Sequence, residues 1–145
     1  MARGKEGESN FAKVMADYGI ECQDVSNNPD YWDKDIDFII SNGVRERTVE
    51  VKNDGRMYKT GNMYIETSNP RSKGGKGWFL FCQAELLAYI DAVSRYMYVL
   101  DLDKLRDYIE DNRYWLREAS TFDGSRGYLV KIDDVEECIL WEINY

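Results

Sequence analysis

The sequence predicts an α/β fold, in which a mixed central β-sheet is flanked by helices. The first observation is the order of segments, because apolar residues at helical spacing alternate with short apolar segments typical of strands. The second is length, since 145 residues is the size of one domain. No internal repeat or linker divides the chain, so we expect a single domain over residues 1–145.

The first half of the chain predicts one helix followed by strands. Apolar residues recur at helical spacing from Phe11 to Tyr18, so a helix is expected from about residue 5, ended by Gly19. Asn42-Gly43 indicates a two-residue hairpin turn. The expected strands of this half cover residues 20–25, 36–41, and a returning segment that runs to residue 52.

The second half predicts helices and strands in alternation. The expected segments, in chain order, are a strand over residues 63–67, a helix over 81–93, a strand over 96–100, a helix after it, and a strand over 127–132. Asp101 or Asp103 can cap the helix after residue 100. Asp133 can cap a short final helix, and the segment through Trp141 stays open between helix and strand.

Composition excludes several kinds of chemistry. The chain has no histidine, which excludes His-dependent nucleophilic catalysis and His-ligated zinc. Its cysteines, Cys22, Cys82 and Cys138, are odd in number and far apart, so they predict neither a disulfide framework nor a zinc knuckle. Catalysis would therefore depend on carboxylates, lysine, tyrosine or a hard metal ion held by oxygen ligands.

The charge is acidic overall but uneven along the chain. The net charge is −8, which by itself disfavours simple electrostatic binding to nucleic acid. Residues 43–77 nevertheless carry a net charge of +4, against −12 for the remainder. This basic segment is the natural place to seek a contact with an anionic partner.

Acidic residues and one lysine are predicted to converge beside the hairpin. Alternate strand residues share a face, so Glu50 and Lys52 point one way while their Val neighbours point into the core. With a two-residue turn, Asp35 lies across from Glu50 and Asp37 lies diagonal to it on the same face. Such a carboxylate cluster is costly without a cation, and Mg²⁺ prefers these ligands.

These residues resemble the signature of the PD-(D/E)XK nuclease superfamily. The similarity rests on Asp37, on Glu50-Val51-Lys52, and on Glu8. Glu8 belongs to the first expected helix and stands eleven residues before Gly19. It is greatest to the small archaeal Holliday-junction resolvases and phage endonucleases, and it implies a restriction-endonuclease-like core. The sequence departs from the family motif, because Ile36 stands where the motif has proline before the aspartate. A Pro-Asp pair does occur at residues 29–30, but it lies in a turn before the strand. Asp35 also competes with Asp37 for the ligand role.

The resemblance implies a role for each matching residue. Asp37, Glu50 and the carbonyl of Val51 would bind Mg²⁺ or Mn²⁺, and Lys52 would contact the scissile phosphate and the attacking water. Glu8 would bind a second ion or orient water. The helix expected over residues 81–93 would present Gln83 to the site. The implied activity is that of a metal-dependent DNA endonuclease working as a homodimer. From the lack of a signal or membrane-spanning segment we expect a cytoplasmic location, which would be the host cytoplasm if the protein is phage-encoded.

The basic segment contains the candidate DNA contacts. These residues are Arg56, Lys59, Arg71, Lys73 and Lys76. The Gly-rich stretch around the last three lacks the spacing of a phosphate-binding loop, so no nucleotide cofactor is expected. The longest apolar run is too short for a membrane span, and no secretory signal begins the chain. The alternative is a catalytically silent module of the same fold, acting as a DNA-binding or protein-binding unit or as an acidic decoy.

Overall fold

A six-stranded mixed sheet forms the centre of the fold within residues 2–145, the part of the chain that the computed structural model describes; the side chains of residues 2, 3 and 73 lie outside that description. Its strands are β1 (Glu21–Asp24), β2 (Phe38–Ser41), β3 (Glu46–Asp54), β5 (Leu86–Asp91), β6 (Tyr96–Asp101) and β9 (Ile139–Asn144). Neighbours along the sheet follow the order β1-β2-β3-β5-β6-β9. The pair β3–β5 is parallel and the other pairs are antiparallel.

A second, smaller sheet was not predicted. It consists of β4 (Asn62–Ser68), β7 (Arg117–Ser120) and β8 (Arg126–Lys131), which pair antiparallel in the order β4-β8-β7. Strand β7 is short and mostly exposed, so it has no apolar alternation from which it could be predicted. Gly127 lets β8 approach β4, because a Cβ at this position would collide with the Ile65 carbonyl.

The helices are α1 (Ala2–Asp17), α2 (Pro29–Trp32), α3 (Met57–Thr60), α4 (Trp78–Phe81) and α5 (Leu102–Asn112), with 3₁₀ segments Lys73–Gly75 and Ile132–Cys138. The predicted N-terminal helix and the helix after residue 100 are both confirmed. Asp101 caps α5, since its side chain accepts the N–H of Lys104 at 3.1 Å. Within residues 2–145, no helix is long and apolar enough to cross a membrane.

Two apolar cores lie on opposite faces of the large sheet. On one face, Phe11 and Met15 of α1 pack against Phe38 and against Val49 and other β3 residues. On the other face, α5 and the second sheet contribute to a larger core. The predicted fold class, a mixed central sheet flanked by helices, is therefore confirmed, with an additional small sheet.

The helix predicted over residues 81–93 is wrong. This segment contains strand β5, in which all six residues are buried. A strand covered on both faces and parallel to its neighbour is apolar throughout, and such a run also fits one side of a helix. Gln83 therefore lies in the connection between α4 and β5, rather than on a helix.

The hairpin turn is longer than predicted. Ser41 pairs with Glu46 instead of residue 44, which leaves residues 42–45 as the loop. The Asn42 side chain explains this, because its Oδ1 accepts the N–H groups of Val44 at 3.0 Å and Arg45 at 2.9 Å. The register shifts by two residues, so the paired side chains of β2 and β3 stay on their predicted faces.

Candidate metal centre and adjoining cleft

Asp37 comes directly before β2 and lies beside β3, where the regular strand pairing ends. Phe38 pairs with Val49, and the Asp37 N–H also donates to the Val49 carbonyl, at 2.9 Å. The predicted pairing of Asp37 with Thr48 is therefore wrong, although Asp37 does interact with Glu50. The Asp37 Oδ2 atom accepts the N–H of Val51 at 2.9 Å. The Val51 N–H thus bonds to a side chain instead of a backbone carbonyl of the neighbouring strand, and this bond holds the Asp37 carboxylate beside β3.

Asp35 reaches the same cluster from the turn that precedes β2. Its φ angle is 54°, a left-handed conformation that is uncommon for residues other than glycine and that recurs at functional sites. One ligand atom each from Asp35, Glu50 and Cys82 lie within 4.8 Å of one another. The predicted pairing of Asp35 across from Glu50 is therefore wrong as a strand register, although the two carboxylates do meet.

Glu50 is the most buried carboxylate of the cluster, with 3% of its side chain exposed. Its Oε1 atom lies 3.4 Å from the Lys52 ammonium, and its Oε2 atom has no hydrogen-bond partner among the residues described. Burial raises the pKa of Glu50 well above its ordinary value; the Lys52 charge opposes this rise, while Asp35 and Asp37 add to it. This carboxylate therefore resists ionisation unless a further positive charge is supplied.

Lys52 stands between the carboxylates and a large cleft. Burial alone would lower its pKa, but the neighbouring Glu50 and Asp35 outweigh that effect and the pKa is raised. Its ammonium also lies over the Trp78 ring, 4.9 Å from the centroid, in cation–π geometry. The lysine is thus held charged at a fixed position, with 31% of its side chain exposed.

Glu8 comes close to the cluster from α1. Burial raises the pKa of Glu8, and the negative charge of Asp37 is the next largest cause, so the two carboxyl groups interact electrostatically. The close approach depends on Gly7, where a Cβ would lie 2.7 Å from the Cβ of Asn53 on β3. Glycine at this position lets the helix sit against the strand.

Gln83 is exposed and follows Cys82 in the connection into β5. Its backbone N–H donates to the Lys34 carbonyl at 2.8 Å. The connection is further held by Arg106 of α5, which donates to the carbonyls of Phe79 at 3.0 Å and Cys82 at 2.6 Å. The predicted role of Gln83 in the site stays a prediction.

A cleft of about 1070 Å³ opens beside Lys52. It runs between the end of β3, strand β4 and the β7–β8 hairpin, and it is lined by Lys52, Arg56, Lys76, Trp78 and Phe122, among other residues. Phe122 at the hairpin tip is fully exposed. Three bases of the cleft, Lys52, Arg56 and Lys76, come from the basic segment, and three acids, Asp54, Glu66 and Asp123, also line it.

Two of the remaining predicted DNA contacts, Lys59 and Arg71, are not among the residues that line the cleft. Arg71 is 74% exposed and lies 3.9 Å from Asp123, a weak surface pair. The Lys59 ammonium lies over the Tyr58 ring, 5.6 Å from the centroid. The side chain of Lys73 lies outside the described residues.

Sequence reasoning missed Cys82, which was expected to be simply buried. Its thiol donates to the Asp35 carbonyl at 3.3 Å. Burial raises the pKa of the Cys82 thiol to about 12, with Glu50 and Asp35 adding to the effect. No spacing in the sequence could have found it, because Asp35, Glu50 and Cys82 come from three separate segments brought together by the sheet.

Comparison with known proteins gives one relevant structural likeness. No protein-family model matches the sequence, and no curated protein matches it. A bacterial homing endonuclease, I-Ssp6803I, has a similar structure, with a TM-score of 0.54 and 15% sequence identity over 92% of this chain and 80% of that chain. At this identity the likeness is one of fold, and it extends over nearly the whole of the chain.

Proposed function

We propose that this protein is a divalent-cation-dependent DNA endonuclease of the PD-(D/E)XK type, built as a single domain. The observation that carries the proposal is the meeting of Glu50 and Lys52 of β3 with Asp37, at a place where Lys52 also lines a large cleft. The fold shared with a bacterial homing endonuclease supports DNA as the substrate. The class therefore rests on geometry and fold together.

A divalent cation suits the carboxylates of this cluster. Two buried oxygens, Oε2 of Glu50 and Oδ2 of Asp35, have no hydrogen-bond partner within the described part of the chain. Glu50 and Asp37 would hold the ion together with the backbone carbonyl of Val51. The N–H of Val51 donates to the Asp37 carboxylate, so this residue lies beside the proposed ligands. When bound, Mg²⁺ or Mn²⁺ polarises a phosphate oxygen and lowers the pKa of a coordinated water.

Asp35 remains a competing ligand, because it also lies beside Glu50. Asp37 is preferred because its carboxylate is fixed by the Val51 N–H and lies toward Glu8. Asp37→Asn should therefore reduce Mg²⁺-dependent cleavage more than Asp35→Asn does. The reverse order in single-turnover assays would transfer the ligand role to Asp35.

Lys52 and Glu8 complete the proposed machinery. Lys52 would contact the scissile phosphate and the attacking water, since its charged ammonium is held between Glu50 and Trp78. A fixed positive charge in a partly buried site stabilises the charge that develops on the phosphate. Glu8, close to Asp37, would orient water or bind a second ion.

The DNA backbone would follow the cleft. Arg56 and Lys76 line it directly. Lys59, Arg71 and Lys73 belong to the same basic segment and would extend the contact along the phosphates. Cutting both strands of a duplex needs two such sites, so we expect a homodimer on DNA.

The deciding experiment incubates the purified protein with supercoiled plasmid and with a four-way junction, in Mg²⁺, Mn²⁺ or EDTA. Cleavage is expected with either cation and should be lost in EDTA and in Glu50→Gln. Glu21→Gln, a matched change at an exposed carboxylate on β1, should cleave normally. Binding without cleavage under all conditions would instead identify a catalytically silent DNA-binding module.

A further inference from the structure

The thiol of Cys82 lies near the carboxyl groups of Asp35 and Glu50. One ligand atom each from Asp35, Glu50 and Cys82 are within 4.8 Å of one another. The centre of a triangle with sides of that length is about 2.8 Å from each corner. Zinc bonds to sulfur and oxygen are about 2.0–2.3 Å long, so small side-chain movements suffice to close on an ion.

Each carboxyl group of this cluster has one buried oxygen without a hydrogen-bond partner among the described residues. Glu50 is 3% exposed and its Oε2 atom has no hydrogen-bond partner among residues 2–145. The Oδ2 atom of Asp35 is likewise buried without a partner in that range. A buried oxygen without a partner is unfavourable, and a bound cation would provide the missing partner.

Cys82 is held in place rather than merely buried. Arg106 fixes the backbone on either side of the last turn of α4 by donating to the Phe79 and Cys82 carbonyls. The thiol also donates a hydrogen bond to the backbone carbonyl of Asp35, which holds the sulfur beside this residue. The position of the sulfur is therefore defined by two independent elements, α5 and the segment before β2.

The chemistry of this donor set differs from that of the proposed magnesium site. Mg²⁺ takes oxygen ligands in octahedral geometry and has no use for a thiolate. Zn²⁺ and Cd²⁺ accept a mixed set of sulfur and carboxylate ligands, with water in a fourth position. A softer cation would gain a bond to the Cys82 sulfur, which a hard cation does not form.

We infer that Asp35, Glu50 and Cys82 form a second, alternative binding site for a thiophilic divalent cation such as Zn²⁺. On binding, a metal–sulfur bond forms, the S–H bond breaks, and the thiol proton is released to solvent, with no change in oxidation state. Because Glu50 belongs to both sites, occupation by Zn²⁺ excludes the Mg²⁺ arrangement. This inference goes beyond the proposed nuclease function, and the binding itself requires no DNA.

The test titrates metal-stripped protein with Cd²⁺ and records the ultraviolet charge-transfer absorption of a cadmium–thiolate bond. Zinc affinity is measured by competition with a chromogenic chelator. One equivalent of Cd²⁺ should produce the band in the wild-type protein. Cys82→Ser should lose the band and bind Zn²⁺ about 100-fold more weakly or worse, because a ligand itself is removed.

Two further variants keep the test decisive. Cys22→Ser removes a half-buried thiol elsewhere and should retain both the band and the zinc affinity. Asp35→Asn leaves the thiol intact and should weaken zinc binding, which protects the test against misfolding of Cys82→Ser. A band that persists in Cys82→Ser, or a wild-type zinc affinity no greater than that for Mg²⁺, would overturn the inference. Neither result depends on whether the protein cuts DNA.

Discussion

At the scale of single residues, Glu50 connects the stability of the protein to pH. Its folded-state pKa lies well above the ordinary 4.5, because burial penalises the charged form. The folded protein therefore holds this proton more tightly than the unfolded chain. The resulting stabilisation is complete below pH 4.5 and is lost as the pH rises through the raised value.

Glu50→Gln should flatten this dependence. In EDTA, the free energy of unfolding of the wild-type protein should fall with rising pH above about 4.5, by at most about 1.4 kcal/mol per pH unit from this group. Glutamine carries no titratable proton, so this contribution disappears. Urea denaturation between pH 5 and 8 measures it, with Glu21→Gln as control; equal slopes for Glu50→Gln and wild type would contradict the expectation.

Lys52 should matter for chemistry more than for binding. Lys52→Met retains much of the side-chain stem beside Trp78 but removes the ammonium. Single-turnover cleavage at saturating DNA should fall by about 10²-fold or more, since the charge acts on the transition state. The Kd for DNA should change little. Lys76→Met is the matched contrast, with weaker binding and an unchanged rate; a reversed pattern would make Lys52 only a phosphate contact.

At the scale of elements, the contact between α1 and β3 controls the position of Glu8. Gly7→Ala places a methyl group 2.7 Å from the Asn53 Cβ, so the helix must shift. We expect a destabilisation of about 1–3 kcal/mol although alanine favours helices, together with slower cleavage. Gly4→Ala, on the same helix, meets nothing within 4 Å and should stabilise by about 0.5–1 kcal/mol. Urea titrations of both variants give the comparison, and equal effects would show that the contact is not restrictive.

The Gly-rich basic segment before α4 should contribute DNA affinity without affecting chemistry. Replacing Arg71, Lys73 and Lys76 by Ala should weaken binding across unrelated sequences and reduce the log–log salt slope by about 0.9 per lost phosphate contact. Binding isotherms at several salt concentrations measure both. Ala at Lys13 and Lys104, exposed on α1 and α5, should have far smaller effects. An unchanged salt slope in the triple variant would move the contact toward Arg45, Arg56 and Lys59.

The elements also show what the sequence could and could not predict. The Glu50/Lys52 face was predictable, because strand parity survives a register error of two residues. Strand β5 was not, because a fully buried strand and one side of a helix share the same apolar pattern. Cys82 and Asp35 were beyond reach as a pair, since their proximity depends on a left-handed turn at Asp35 and on the Arg106 contact with α4.

At the scale of the whole molecule, an acidic protein carries its excess positive charge in one segment of the chain, residues 43–77. The net charge of −8 repels DNA at long range, while this segment supplies Lys52, Arg56 and Lys76 to the cleft, which Asp54, Glu66 and Asp123 also line. We therefore expect DNA to bind with the three bases toward its backbone. The net negative charge also attracts cations to the carboxylates of the candidate metal centre when no DNA is bound.

The parallel pairing of β3 with β5 has a consequence for folding. Parallel strands need a crossover, and here residues 55–85 form it, carrying α3, β4 and α4, which build the wall of the cleft. The pairing of β3 with β5 therefore requires that this connection, with the cleft wall in it, passes over one face of the sheet. We therefore expect sheet and cleft to unfold cooperatively, so that amide protons of β4 and β5 exchange with solvent at the same free energy, which native-state hydrogen exchange measures. Faster exchange in β4 alone would show that the cleft wall opens independently of the sheet. Equal exchange would mean that a mutation that destabilises the cleft wall also destabilises the central sheet.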